Sequence, residues 1–172
     1  MSVLGLAIAF GVFYFMSWPA TLSPVGAGGN GLGFDDVEIG EMLHTGLMIF
    51  EVKGPREVKI VTVKLNAPTL GIKLEGSRLG LGASGTSVGG LRGDQPSIDA
   101  LPPAPGSVLP KNARGSIVIT FTATQSGSFD GLVVTYQTGW LTRTVRLGPK
   151  VTVTVPGSPT EPGSSPSPSP TA

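Results

Sequence analysis

Residues 116–155 read SIVITFTATQSGSFDGLVVTYQTGWLTRTVRLGPKVTVTV. In SIVITFTA, Ile117, Ile119 and Phe121 fall on one side of an extended chain, and Val118, Thr120 and Thr122 on the other. That is the two-residue period of a strand. GLVVTYQ groups Leu132, Val134 and Tyr136 in the same way, and Thr138-Gly139 suits a two-residue hairpin turn. WLTRTVRL sets Leu141, Val145 and Leu147 against Trp140, Thr142, Thr144 and Arg146. KVTVTV closes the stretch with Val151, Val153 and Val155 on one face and threonines on the other. Such runs, separated by turn signals and without a helical period, predict consecutive antiparallel strands.

The pattern continues towards the N-terminus. LMIFEVK places Met48, Phe50 and Val52 on one face, with Glu51 and Lys53 opposite, and Gly54-Pro55 signals a turn. In REVKIVTVKL the alternation runs Val58, Ile60 and then slips to Val61, Val63, Leu65. A slip of one residue predicts a bulge or burial on both faces. LGIKLEG, after the break Asn66-Ala67-Pro68, reads as a shorter strand. From Gly80 to Gly115 the signal fades, apart from a short strand near Ser107 to Leu109. A structureless loop of that length is rare in a compact domain, so a short strand or helical turn is expected within it. The fold class that follows is all-β. It is an antiparallel immunoglobulin-like β-sandwich of about seven or eight strands over Phe34 to Val155, with a small barrel as the alternative.

Composition narrows the function. Charged residues make up 13% of the chain, and the formal net charge is +1. That balance argues against a nucleic-acid partner, which needs a dense basic surface. The absence of cysteine excludes disulfides, thiolate metal sites, cysteine nucleophiles and a lipidated N-terminal cysteine.

The first charge in the chain is Asp35. Before it, Val3 to Trp18 is almost wholly apolar or small. As a helix this run rises about 24 Å, and Met1 and Ser2 bring it nearer the roughly 30 Å of a hydrocarbon core. Tyr14 and Trp18 suit a membrane interface, and Pro19 ends the helix. The expectation is a single N-terminal transmembrane helix. A cleaved signal peptide, with its small-x-small site at Val25 and Ala27, and a buried core helix are the alternatives. No Lys or Arg precedes the run, so orientation is inferred from the β domain and the Ser/Pro/Thr tail, which suit the outside. The chain divides into an anchor or signal peptide (1–20), a Gly-rich linker (21–33), the sandwich (34–156) and a disordered Pro/Ser/Thr tail (157–172).

EIGEMLHTGLMIFEVKGPREVKIVTVKL, then GIKLEG, and later GSFDGLVVTYQTG with its following strand, resemble exported or membrane-anchored immunoglobulin-like proteins of actinobacteria. The shared features are a Gly-Pro turn (Gly54-Pro55), a V-x-I-x-x-V-x-L strand (Val58 to Leu65) and a closing G-x-x-V-x-Y hairpin (Gly131 to Leu147). The resemblance covers residues 37–155. It implies a sandwich outside the membrane and carries over no catalytic residue.

Each candidate for chemistry has a plainer reading. GAGGNG from Gly26 and GLGASG from Gly80 match G-x-G-x-x-G, but neither is followed by a sequence that readily opens a helix, which a dinucleotide site requires. His44 is the sole histidine, and no serine sits in a nucleophile motif. Met42, His44 and Met48 are a thin set for copper, with Met48 better placed in the core. Asp35, Asp36, Glu38 and Glu41 lack a calcium-loop pattern and read as a solvated acidic edge. Arg92-Gly93-Asp94 matches an integrin-recognition tripeptide, a match that arises often by chance. Lys111, Arg114, Arg143, Arg146 and Lys150 make the C-terminal half positive. Arg143 and Arg146 differ in strand parity, and Arg143 reads as an edge charge that discourages sheet-to-sheet pairing.

The expected function is a non-catalytic, membrane-anchored extracytoplasmic interaction module with a protein partner in the cell envelope. No catalytic, cofactor-binding or metal residue is assigned. The Gly80 to Gly115 segment is the expected binding surface. The alternative is a secreted soluble carrier or chaperone for a metal or small ligand.

Overall fold

A computed structural model describes residues 19–25, 31–82 and 89–158. The strands are β1 (Thr21–Pro24), β2 (Leu32–Phe34), β3 (Leu43–Lys53), β4 (Val58–Leu65), β5 (Ile72–Leu81), β6 (Leu91–Arg92), β7 (Val108–Leu109), β8 (Arg114–Ala123), β9 (Gly127–Thr138) and β10 (Leu141–Val153). A one-turn helix, Pro96–Asp99, lies between β6 and β7. Two sheets form. The first runs β1-β3-β8-β5, with β6 also pairing β3; the second runs β2-β10-β9-β4-β7. Pairing is antiparallel except between β2 and β10, so the second sheet is mixed.

The alternation read from residues 116–155 builds the core. Ile117, Ile119 and Phe121 of β8 face Leu132, Val134 and Tyr136 of β9 and Leu147, Val151 and Val153 of β10 across the sandwich, all buried. Three phenylalanines bridge the layers. Phe121 meets Phe34 of β2 edge-to-face at 5.7 Å between ring centres and Phe129 of β9 at 5.2 Å. The phase slip in REVKIVTVKL is a bulge: register shifts between Ile60 and Thr62 against β9, which turns Val61 outward while Ile60 and Val63 stay buried. A second register shift lies in β3 between Thr45 and Met48.

Three expectations change. Within the stretch expected as a linker, Thr21–Pro24 is a strand that pairs with Lys53 to Phe50 of β3, with Leu22 buried, while residues 26–30 lie outside the described residues. Leu32–Phe34 pairs with β10, so β1 and β2 both belong to the sheets. Four residues with one apolar side chain are too short for a period to be seen. The β9–β10 turn is Gly139-Trp140, one residue later than expected, with Leu141 opposite Thr138. Gly139 has φ +58 while Trp140 has no positive φ, the type II′ pattern that matches strand twist. Among the described residues there are ten strands: β1, β2 and β6 are additional, β7 is the short strand expected near Ser107 to Leu109, and the two runs expected within residues 140–155 form the single strand β10. The apolar run of residues 3–18, which carries the transmembrane expectation, lies outside the described residues, as does the tail beyond Ser158. Among the described residues no helix is long and apolar enough to cross a membrane.

Among the described residues one core polar atom is unpartnered. Thr45 is fully buried on the inner face of β3, opposite Ile119, and its Oγ1 makes no hydrogen bond. A hydroxyl stripped of water without a partner costs about 1–3 kcal/mol. Thr45→Val keeps the shape and removes the hydroxyl. It is expected to raise unfolding free energy by about 1 kcal/mol in guanidinium titration.

Candidate functional site

The Gly80 to Gly115 segment does not gather at one end of the sandwich. Its described part leaves the end of β5 at Gly82, resumes before β6, which pairs with β3 beyond β1, and crosses the outer face of the first sheet. It then reaches the edge of β5, where the Leu79 and Ala104 amides bond the Pro102 and Ser77 carbonyls. Arg78 donates to the Leu101 carbonyl on the way. Beyond that it joins β4 through β7. The segment is a strap, and it explains why Val118 is fully buried on the face expected to be half polar. Ile98 of the one-turn helix is buried as well, outside the main core.

His44 lies under this strap. It shares the outer face with its β8 partner Thr120. Its Nε2 is 2.8 Å from the Gly93 carbonyl oxygen and its Nδ1 is 2.9 Å from Thr120 Oγ1. A carbonyl only accepts, so Nε2 carries the proton, and in the neutral ring Nδ1 accepts from the threonine hydroxyl. Both nitrogens are engaged, leaving neither free as base or metal ligand. Met48 is fully buried on the opposite face, while Met42 is partly exposed. The three residues weighed for copper are therefore not brought together. His44→Ala would leave the Gly93 carbonyl and Thr120 without their partner. It is expected to cost about 2–3 kcal/mol of stability, and limited proteolysis should cut first in the strap.

The acidic loop after β2 is held by a cation from the strap. Arg92 donates to the Asp35 and Asp36 carbonyl oxygens, and its Nη1 is 3.7 Å from Glu41 Oε2. Glu41 also accepts from the Glu38 amide at 3.1 Å. The loop is thus closed by a guanidinium and backbone bonds. Among the described residues no group of three or more His, Asp or Glu is placed to hold a metal ion. The same contacts commit Arg92 of the Arg-Gly-Asp tripeptide, while Gly93 bonds Met42 and His44. Asp94 is exposed. Of the two glycine-rich motifs, the first is described only at Gly31, and the second begins in β5 and passes out of the described residues after Gly82.

Glu75 has its carboxyl held below the ordinary range by hydrogen bonds from Lys73, at 3.0 Å, and from the Thr122 hydroxyl. This is a surface ion pair on β5, of a kind that contributes little. Arg143 pairs with Tyr136 and shares a face with Leu141 and Val145. It sits where β10 has β9 alone as a strand neighbour among the described residues. Its side chain is exposed at this edge position.

The sandwich has two unlike ends. One, the near pole, holds Ala20, the β3–β4 turn, the β9–β10 turn and the start of β8. At the other, the far pole, three loops are tied together. The Gly40 amide bonds the Ala123 carbonyl, the Thr124 amide the Gly71 carbonyl, and Gln125 Nε2 the Leu70 carbonyl. Two large apolar side chains stand out there, Ile39 at 71% exposure and Leu70 at 84%. Neither was singled out in the sequence, because each is an isolated apolar residue within a turn. No protein-family model matches the chain, and no curated protein matches it.

Proposed function

We propose that the chain is a non-catalytic interaction module, held at the cell membrane by its N-terminal apolar run, with the sandwich outside and its far pole turned to a protein partner of the envelope. The strand order supports an immunoglobulin-type sandwich: β1, β3, β8 and β5 take the A, B, E and D positions of a constant-type domain, and β4, β9 and β10 take C, F and G. The observation that carries the anchored reading is β1. It starts three residues after Trp18 and buries Leu22 against β3. Cleavage at the small-x-small site of Val25 and Ala27 would remove that strand. The soluble-carrier reading has less support, because both nitrogens of the lone histidine are engaged within the fold.

The anchored reading is tested by the intact mass of the native protein after membrane and supernatant are separated. An uncleaved chain in the membrane fraction is expected. A mature form starting near Gly28 in the supernatant would overturn it. For the partner face, a photocrosslinker at Leu70 should give a discrete adduct in native membranes, lost on Ile39→Ser. Equal labelling from Leu70 and from an exposed strand position such as Thr144 would count against the far pole.

A further inference from the structure

The near pole has a chemistry of its own, and it is where the apolar run joins the fold. The Ala20 amide donates to Thr138 Oγ1 at 3.2 Å, and the Gly54 backbone packs directly against Ala20. The entering chain is therefore pinned between the β3–β4 turn and the β9–β10 hairpin. Two residues past Thr138, at the hairpin tip, Trp140 is 83% exposed. Leu81 and Val108, at 53% and 49% exposure, end or flank strands at this same pole.

Charge separates along the same axis. The near pole carries Lys53, Arg56, Lys59, Lys111, Arg114 and Arg143, against Glu51 and Glu57. Glu51 is itself 3.9 Å from Lys53. The remaining described residues carry eight carboxylates, Asp35, Asp36, Glu38 and Glu41 among them, against Lys64, Lys73, Arg78, Arg92, Arg146 and Lys150, a small acidic excess. A net charge of +1 conceals this polarity.

We infer that the near pole is a membrane-docking surface, in which Trp140 enters the interface and the surrounding Lys and Arg side chains meet anionic phospholipid headgroups. The inference rests on the anchored reading above. Trp18 and Ala20 are separated by at most about 7 Å of chain, so a bilayer that holds the apolar run brings the near pole to its headgroup layer, about 6 Å thick. Tryptophan is the residue suited to that layer, since its ring is apolar and its N–H can stay hydrated. Lys and Arg are attracted to an anionic surface within a Debye length, which reaches the near pole and not the opposite end of the strands. Anchor, hairpin and charge together fix the sandwich upright, with Ile39 and Leu70 held away from the bilayer.

The two tryptophans of the chain make the test separable. The full chain is reconstituted in phosphatidylcholine vesicles with brominated acyl chains, with and without phosphatidylglycerol. Trp18→Phe leaves Trp140 as sole reporter, and Trp140→Phe leaves Trp18. Docking predicts that Trp140 loses much of its emission to the bromines and shifts to the blue, more so with phosphatidylglycerol. It also predicts that high salt or the triple variant Lys53→Gln, Arg56→Gln, Lys111→Gln reverses this. If Trp18 is quenched and Trp140 stays in water, the anchor stands and docking is overturned, leaving the hairpin to a protein partner. If neither is quenched, anchoring fails and docking with it. Quenching of Trp140 that ignores lipid charge and salt overturns the headgroup contact.

Discussion

Phe121→Ala is expected to lower the free energy of unfolding by about 4 kcal/mol, within the usual range for phenylalanine truncation in a core. Phe121 is fully buried at the centre of the first sheet, paired with Leu43 on one side and Leu74 on the other. Its ring stands between Phe34 and Phe129 of the second sheet, at interplanar angles of 81° and 80°. Each such pair adds about 0.5–1.5 kcal/mol beyond area burial. Truncation also opens a cavity that two hydrogen-bonded sheets cannot readily close. A domain of ordinary stability has about 5–15 kcal/mol to lose, so the midpoint of thermal unfolding should fall by on the order of 10 °C. Guanidinium titration of the full chain in detergent checks the figure. Phe121→Leu should recover more than half of the loss. A cost for Phe121→Ala under about 1.5 kcal/mol would mean that the sheets collapse onto the site, and that the aromatic bridge does not hold them apart.

Much of this core was legible in the sequence. The inward faces of β8, β9 and β10 follow from strict alternation, and so do Met48, Phe50 and Val52 in β3. The bulge at Val61 was legible too, because a bulge changes the phase of the pattern it interrupts. What escaped was structure made by short or distant partners. β1 offers a single buried apolar residue, Leu22, and acquires its strand character only from β3. The strap offers Ile98 and little else, so its crossing of the outer face could not be inferred, nor could the burial of Val118. His44 was visible as a lone histidine, yet its environment is set by Gly93 and Thr120 on two other segments. The acidic run from Asp35 to Glu41 was plain, while the Arg92 guanidinium that closes it comes from beyond β5. The charge polarity of the two ends was hidden for the same reason. Arg56, Lys111 and Arg143 are scattered along the chain, and only antiparallel register brings the turns that carry them to one end. Periodicity reports which face a side chain takes; it does not report which end of the sandwich a turn occupies.

Gly131→Ala is expected to be as damaging as Phe121→Ala, and for a reason that involves no apolar burial. β9 meets a bulge in β10 at this point, where register shifts between Leu147 and Lys150. On its other side the Gly131 carbonyl accepts from the Asn66 amide, the Asp130 amide donates to the Asn66 carbonyl, and Asn66 Nδ2 donates to the Asp130 carbonyl. Gly131 is held at φ +68 between these two constraints. A Cβ there would sit 2.3 Å from the Leu147 carbonyl oxygen and 2.8 Å from that of Gly148. Both obstacles are backbone, so no rotamer change relieves them. The left-handed conformation alone costs a residue with a Cβ about 1–2 kcal/mol, and overpacking adds about 1–3 more. Gly106 separates the two terms. It has φ +89, with open space where a Cβ would stand. Gly106→Ala should therefore lose only the conformational part, about 1–2 kcal/mol. Parallel guanidinium titrations of the two variants give the steric cost by difference. If both lose the same amount, the β10 bulge yields to a methyl group and the junction of β4, β9 and β10 is soft. If Gly131→Ala loses about 2 kcal/mol more, or fails to accumulate as folded protein while Gly106→Ala does not, the junction is rigid. A rigid junction requires a residue without a side chain at that crossing, whatever the hydrophobic pattern on either side.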